Sequence, residues 1–247
     1  MRFLIGFVLP MLLWGCQKSP SQQEAPATQN DSVRVVRTKH ANGKIKAEIP
    51  YRDKKKHGLS RSFDDQGHPL LELPYVNDKR HGQSKRYYAG GKRLYQTTEY
   101  QDDKMHGWQR RYREDGKIMS EARYENDFAC TDLREYHTDH SLKTNYPKIV
   151  IKTIDQLETR GRYVVEVSVS QRVRKVKFYL GKLTATGCMS DQLEHIRLDE
   201  TRQTGILVYD LVPGQFLMEE INIVAAVETP HGNTAILQKR YPLAINN

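Results

Sequence analysis

The sequence predicts an all-β protein in which a sheet of stacked β-hairpins is followed by an antiparallel β-sandwich. Two observations carry the hairpins. Residue markers return every 24 or 25 positions between Gly43 and Tyr124, and within each interval apolar and polar side chains alternate with the two-residue period of a strand. A third carries the sandwich: short alternating runs separated by turn residues fill the C-terminal part of the chain. Composition agrees. Hydrophobic residues make up 38% of the 247 and mean hydropathy is −0.73, which is low for an enzyme with a deep core and suits thin sheets wetted on one side. The formal net charge of +9 favours an acidic partner such as anionic lipid, acidic polysaccharide or nucleic acid.

The chain opens with "MRFLIGFVLPMLLWGC", in which Arg2 precedes an apolar run from Phe3 to Trp14. That run is shorter than the roughly 20 residues a membrane-spanning helix needs, and it reads as a cleaved secretory signal. Leu13-Trp14-Gly15-Cys16 resembles a bacterial lipobox, with Trp14 bulkier than usual at its position. The resemblance implies a signal peptide over 1–15, a diacylglyceryl thioether on Cys16 and, in a Gram-negative host, acylation of its amine. Two or three acyl chains anchor stably where one does not. The expected location is therefore the cell envelope, at the outer membrane if the host is Gram-negative. An exported chain meets no cytosolic nucleic acid, so that partner is dropped. Residues 16–31, rich in Gln, Ser, Pro and Ala, are expected to form a disordered tether.

The repeats occupy 32–130. His57-Gly58, His81-Gly82 and His106-Gly107 are in phase with Tyr51, Tyr75, Tyr100 and Tyr124, and with Gly43, Gly67, Gly91 and Gly116. Three markers in one phase signal stacked supersecondary units. In the last clear copy, "HGWQRRYRED" sets Trp108, Arg110 and Tyr112 on one face and Gln109, Arg111 and Arg113 on the other. "REDG" supplies a turn, "KIMSEARY" returns as a second strand, and "ENDF", "VNDKR" and "QDDKM" make the turns between units. The pattern resembles MORN-type repeats, and more closely the YwqK-family variety of many bacterial lipoproteins. It departs from them where Lys54, Asp78 and Asp103 replace the first glycine of the family turn. Asp tolerates a left-handed conformation and Lys does so less. The repeat motifs are structural, and no activity follows from them.

Beyond Cys130 the rhythm stops, and 131–146 is a linker or a decayed final repeat that caps the array. The sandwich spans 147–247 as seven strands: "KIVIKTI", "YVVEVSVS", "VRKVKFYL", "HIRLD", "GILVYDL", "INIVAAVE" and "AILQKRYPLAI". Val173, Val176, Phe178 and Tyr179, with Ala226, Glu228, Gly232 and Asn233, resemble the strand and turn signatures of bacterial Ig-like modules. The resemblance implies a binding or spacer role rather than catalysis, and fold alone fixes neither. Cys130 and Cys188 are an even remainder once Cys16 is lipidated. In an oxidising compartment they permit one disulfide tying the repeats to the sandwich, with two buried free thiols as the alternative.

The remaining clusters are weighed by spacing. His57, His81 and His106 would lie about 10 Å apart across successive hairpins, too far to share a metal, and no CxxC or HExxH spacing is present. No metal and no cofactor are expected. Arg61, Lys85 and Arg110 each precede an aromatic by two residues (Phe63, Tyr87 and Tyr112), which with Trp108 makes a candidate binding stripe of cations and rings. The competing reading is cross-strand packing. Glu48, Glu72 and Glu121 recur in the facing strands and suit cross-strand partners better than a catalytic pair. No nucleophile or phosphate-loop motif appears, so no catalytic residue is assigned and no small-molecule substrate is evident. The expected function is a non-catalytic binding or scaffold module, held at the membrane by its lipid and facing a protein or an acidic glycan or lipid. The alternatives are a structural accessory of an envelope assembly and a toxin-binding immunity-type protein.

Overall fold

A computed structural model describes residues 33–247. The signal peptide, the lipidation site Cys16 and the tether lie outside the described residues. Among the described residues nearly every element is a strand, and the one helix, α1 (Leu157–Arg160), is a single turn. Among the described residues no helix is long and apolar enough to cross a membrane.

The hairpins form one antiparallel sheet. Its main strands are β1 (Arg34–Lys39), β2 (Ile45–Arg52), β4 (Gly58–Phe63), β5 (Pro69–Val76), β7 (Gly82–Tyr87), β8 (Leu94–Gln101), β9 (Lys104–Tyr112) and β10 (Ile118–Glu125). They pair in chain order, ending on β11 (Phe128–Ala129), while the short β3 (Lys55–Lys56), β6 (Lys79–Arg80) and β12 (Arg134–Glu135) join β2, β5 and β10. Two of the three sequence periods, the His-Gly and the tyrosine series, share one cause. Tyr75, Tyr100 and Tyr124 stand directly across from Gly58, Gly82 and Gly107, so tyrosine and glycine recur together because they are cross-strand partners, an aromatic opposite a residue with no side chain.

The His-Gly pair does not form the turn itself. In the second and third copies it interrupts the strand, between β3 and β4 and between β6 and β7. Gly58 lies at φ +105°, and a Cβ there would stand 3.2 Å from Pro50 Cγ. Pro50 and Pro74 cannot donate to the ladder, which breaks beside them. In the fourth copy Glu99 takes the proline position, and β9 runs unbroken through His106-Gly107.

The turns between units keep their geometry without glycine. Asp53-Lys54, Asn77-Asp78, Asp102-Asp103 and Asn126-Asp127 all have positive φ at both residues, the requirement of a type I′ hairpin turn. The aspartates also clamp each turn to the one before it. Asp78, Asp103 and Asp127 donate their backbone N–H to the carbonyls of Lys56, Arg80 and Met105 at 2.9, 3.0 and 2.9 Å. Their carboxylates accept the N–H of the same three residues at 2.7, 2.9 and 2.7 Å. Lys54 closes the first described turn between units, which has no earlier turn of its kind among the described residues to grip, and so a side chain without a carboxylate sacrifices no clamp there.

At the other end the array decays rather than stops. His137–Ser141 closes a fifth turn of the kind that holds Gly43, Gly67, Gly91 and Gly116: as Arg113 N–H bonds to the Lys117 carbonyl and Gly116 N–H to the Arg113 carbonyl, so His137 N–H bonds to the Ser141 carbonyl and His140 N–H to the His137 carbonyl, both 2.9 Å. His140, at φ +68°, occupies the place of the turn glycines, one repeat period after Gly116.

The sandwich has eight strands, one more than the sequence suggests. One sheet has the order β13 (Ile149–Gln156), β14 (Arg162–Val169), β18 (Thr204–Asp210), β17 (Arg197–Asp199). The other runs β16 (Glu194–His195), β15 (Val176–Leu180), β19 (Phe216–Glu228), β20 (Thr234–Asn246). "HIRLD" is therefore two strands: the chain changes sheets at Ile196, whose N–H bonds to the Phe178 carbonyl at 2.9 Å. Val165, Val167, Phe178, Ile223 and Ala225 form the buried centre between the sheets.

Three substitutions separate turn geometry from the clamp. Asp103→Gly, which removes the carboxylate and keeps the left-handed backbone, should lower the urea midpoint, and Asp103→Ala should lower it further. Lys54→Gly should raise stability by up to about 1 kcal/mol, because the left-handed strain is relieved and no clamp is lost.

Candidate functional site

Three features bring together the residues singled out in the sequence. The first is a single row of side chains across the repeat sheet. Cα partners give, in order, Arg37, Glu48, Arg61, Glu72, Lys85, Thr97, Arg110, Glu121 and Arg134. Cation and carboxylate alternate and pair: Arg37–Glu48 at 2.8 Å, Arg61–Glu72 at 3.6 Å, Lys85–Glu72 at 3.8 Å and Arg110–Glu121 at 2.9 Å. Thr97 stands where the period calls for a carboxylate, and Glu99, two residues along the same strand, reaches Arg110 at 3.9 Å instead.

Of the aromatics of the predicted stripe, Trp108 and Tyr87 bring their side chains to this row, and Tyr112 and Phe63 are engaged through their backbone carbonyls. Trp108 lies 5.5 Å from the Arg110 guanidinium. The Tyr87 phenol is pushed up by burial and by the Glu72 carboxylate. The Tyr112 carbonyl accepts the Tyr88 hydroxyl at 2.7 Å and the Phe63 carbonyl lies 3.0 Å from His40 Nε2. The structure thus brings Arg61, Lys85 and Arg110 together, each facing a carboxylate of its own sheet.

The second feature is a tyrosine column that sequence reasoning saw only as a period. Lys56 sits 5.2 Å over Tyr75 and Arg80 4.3 Å over Tyr100, with Met105 at the corresponding place in the next copy. The cation–ring ladder expected from Arg61, Lys85 and Arg110 is thus built more fully by Lys56 and Arg80. Its signal was available, since Lys56 and Arg80 are one repeat apart and immediately precede His-Gly. The histidines point at the adjoining turns, His57 Nδ1 at 3.4 Å from Asn77 Oδ1 and His81 Nδ1 at 3.7 Å from Asp102 Oδ1. Among the described residues no group of three His, Cys, Asp or Glu is placed to hold a metal.

The third feature is the joint between the last hairpins and the sandwich. Cys130 and Cys188 are disulfide-bonded and face one another as an antiparallel bridge. Backbone bonds flank them, Thr131 N–H to the Gly187 carbonyl and Met189 N–H to the Ala129 carbonyl, both 3.0 Å. Beside them Ala129, Met189, Leu193, Val224 and Ile236 make a small apolar core. Glu135 is fully buried. Its carboxylate accepts Thr229 Oγ1 at 2.5 Å, Asn233 Nδ2 at 2.8 Å and Lys143 Nζ at 3.2 Å. Burial alone would push this carboxyl up, but those three donors outweigh it and hold the group below the ordinary glutamate range. Arg111 adds bonds to the His231 carbonyl at 2.5 Å and to Asn233 Oδ1 at 3.0 Å.

A cleft of about 700 Å³ opens beside the joint, between Tyr124 and Phe128 of the repeats and Tyr179, Met189 and His195 of the sandwich, with Lys175 and Lys177 on its rim. The Tyr179 and His195 rings lie 4.4 Å apart. Aromatic walls and exposed cations suit contact with a ligand or protein.

The fold and these features define an all-β repeat module locked to a β-sandwich. Residues 35–53, 56–77, 80–102 and 105–126 match the family model described as a MORN repeat variant. The matched stretches make up about a third of the chain and describe its repeats. No curated protein matches the sequence. Among solved structures, the chain is similar to the extracellular domain of a protein described as a putative one-component system of B. thetaiotaomicron, at 11% identity and a TM-score of 0.20, over 85% of this chain and 35% of that one. This chain thus spans about a third of the length of that domain.

Arg110→Glu should destabilise the sheet by about 1–2 kcal/mol in urea unfolding, because it places a third carboxylate between Glu99 and Glu121. For the joint, a carboxyl held low contributes stability in full above the unfolded-chain value of about 4.3, and loses it as pH falls through the lower folded value. Glu135→Gln should therefore unfold more easily at pH 7, by about 1–3 kcal/mol, and differ less from the wild type at pH 3.

Proposed function

We propose that this protein is an exported, lipid-anchored, non-catalytic scaffold or binding module of the bacterial cell envelope, working through its repeat sheet. The observation that carries the reading is the joint. A disulfide, an apolar cluster and a buried carboxylate fasten one end of the sheet to the sandwich, which sets the orientation in which the last repeat meets it. The match to a MORN repeat variant supports a module for binding or spacing. A disulfide between Cys130 and Cys188 fits an oxidising compartment, in line with the lipobox-like Leu13–Cys16 stretch.

We read the sandwich as Ig-like. Named in chain order A to G, with the short β16 as C′, its sheets are A-B-E-D and C′-C-F-G, the immunoglobulin connectivity with one added edge strand. The partner is a protein or an acidic glycan or lipid.

The anchoring arm of the proposal is tested by Cys16→Ala. The wild type should fractionate with membranes and incorporate labelled palmitate; the variant should lose both. A variant that still carries label and stays on the membrane would show that Cys16 is not the anchor.

A further inference from the structure

We infer that the outer edge of β1 is a strand-addition site for an extended acidic segment of another protein, taken up antiparallel with a glutamate opposite Arg37. This goes beyond the scaffold reading and holds whether or not the chain is lipid-anchored. The two ends of the repeat sheet differ. The far end is closed by β11, β12 and the sandwich. Among the described residues β1 pairs with β2 alone. It is exposed along its whole length, with Val33, Val35 and Val36 at 48%, 39% and 36%. An edge of this kind offers unpaired N–H and C=O groups, and natural sheets ordinarily cover or blunt it.

The charged row says what fits. Glu72, inside the sheet, touches a cation on each side, Arg61 and Lys85. Arg37 is the terminal member, its side chain 56% exposed, and it meets a carboxylate on one side only. Every inter-hairpin junction of the first three copies repeats one register. Ala47 faces Ser62 while Glu48 faces Arg61, and Leu71 faces Arg86 while Glu72 faces Lys85. Thr38 and Arg37 are the equivalents of Ser62 and Arg61, one repeat earlier. The next strand in the series would thus place a small or apolar residue opposite Thr38 and a glutamate opposite Arg37. A second copy of this chain is a poor occupant. β1 carries Arg34, Arg37 and Lys39 and no acid, so two such edges would oppose like charges.

The probe is a fluorescent synthetic peptide with the sequence of residues 69–76, PLLELPYV, alongside a version with its glutamate changed to lysine. Anisotropy is measured against the full chain in detergent. The glutamate peptide should bind saturably and protect Val35–Thr38 from amide exchange, and the lysine peptide should bind about fivefold more weakly, the scale of one cross-strand charge pair. Arg37→Glu should reverse the order of the two peptides. Arg37→Gln, which avoids facing Glu48 with a second carboxylate, should abolish the difference between them. Absence of saturable binding would overturn the inference, as would an unchanged peptide order in both variants. A concentration-dependent dimer lost in Arg37→Gln would overturn it too, by assigning the edge to a second copy instead.

Discussion

The constraint on which this molecule depends is that its repeat sheet is one layer thick. Among the described residues before Ala122, Pro50 is the only apolar side chain in the buried class, and the other buried groups of the sheet are Ser84, Thr97, Thr98, Gln109 and Ser120. Burial of apolar area, the usual main source of stability, is therefore scarce over residues 33–121. Cohesion has to come from each hairpin's grip on the next. That explains why contacts reach so regularly from one repeat to the next: aspartate clamps at the turns, tyrosine over glycine, and carboxylate beside cation. Each such contact is weak in water, and it is their repetition along a cooperative ladder that holds the sheet.

A layer without a core also has to end well, and its two ends are treated differently. At the C-terminal end the apolar core begins at Ala122 and Ala129 and continues into the sandwich. Here the protein accepts a buried charge. Glu135 is tolerable only because Thr229, Asn233 and Lys143 satisfy it, and an unpaired carboxylate in that place would cost several kcal/mol. Such a network depends on geometry. Thr229 and Asn233 come from one turn of the sandwich, so the carboxylate of the last repeat is matched only when the two parts meet in one orientation.

What could be read from the sequence follows from this division. The hairpins were legible because each of their contacts is local in the repeat and recurs, so Tyr, Gly and Asp return in phase. Of the joint, the sequence offered only the Cys130–Cys188 pair; its polar network was not legible, because it occurs once and joins residues 94 to 122 positions apart. Glu135 in "REYH" reads as an ordinary surface acid, and Asn233 as a turn residue of the sandwich. The change of sheet at Ile196 was hidden for a related reason, since "HIRLD" keeps a strand's alternation while its two halves pair with different neighbours. The role of Arg61, Lys85 and Arg110 was half visible. Their spacing announces a row and offers Glu48, Glu72 and Glu121 as cross-strand partners, and the register supplies which cation each of them meets.

Those internal pairs bear on where recognition can occur. A cation that already faces a carboxylate offers an incoming acid little unless the existing pair is broken, so the middle of the row is better at holding the sheet than at binding. Periodicity satisfies its own members, and unsatisfied groups collect where the period begins, fails or ends. In this chain those places are the first strand with its one-sided Arg37, the Thr97 position where a carboxylate is missing, and the cleft beside the joint. A repeat of this type can therefore vary in length without changing what it presents, because its chemistry toward other molecules is concentrated at its boundaries.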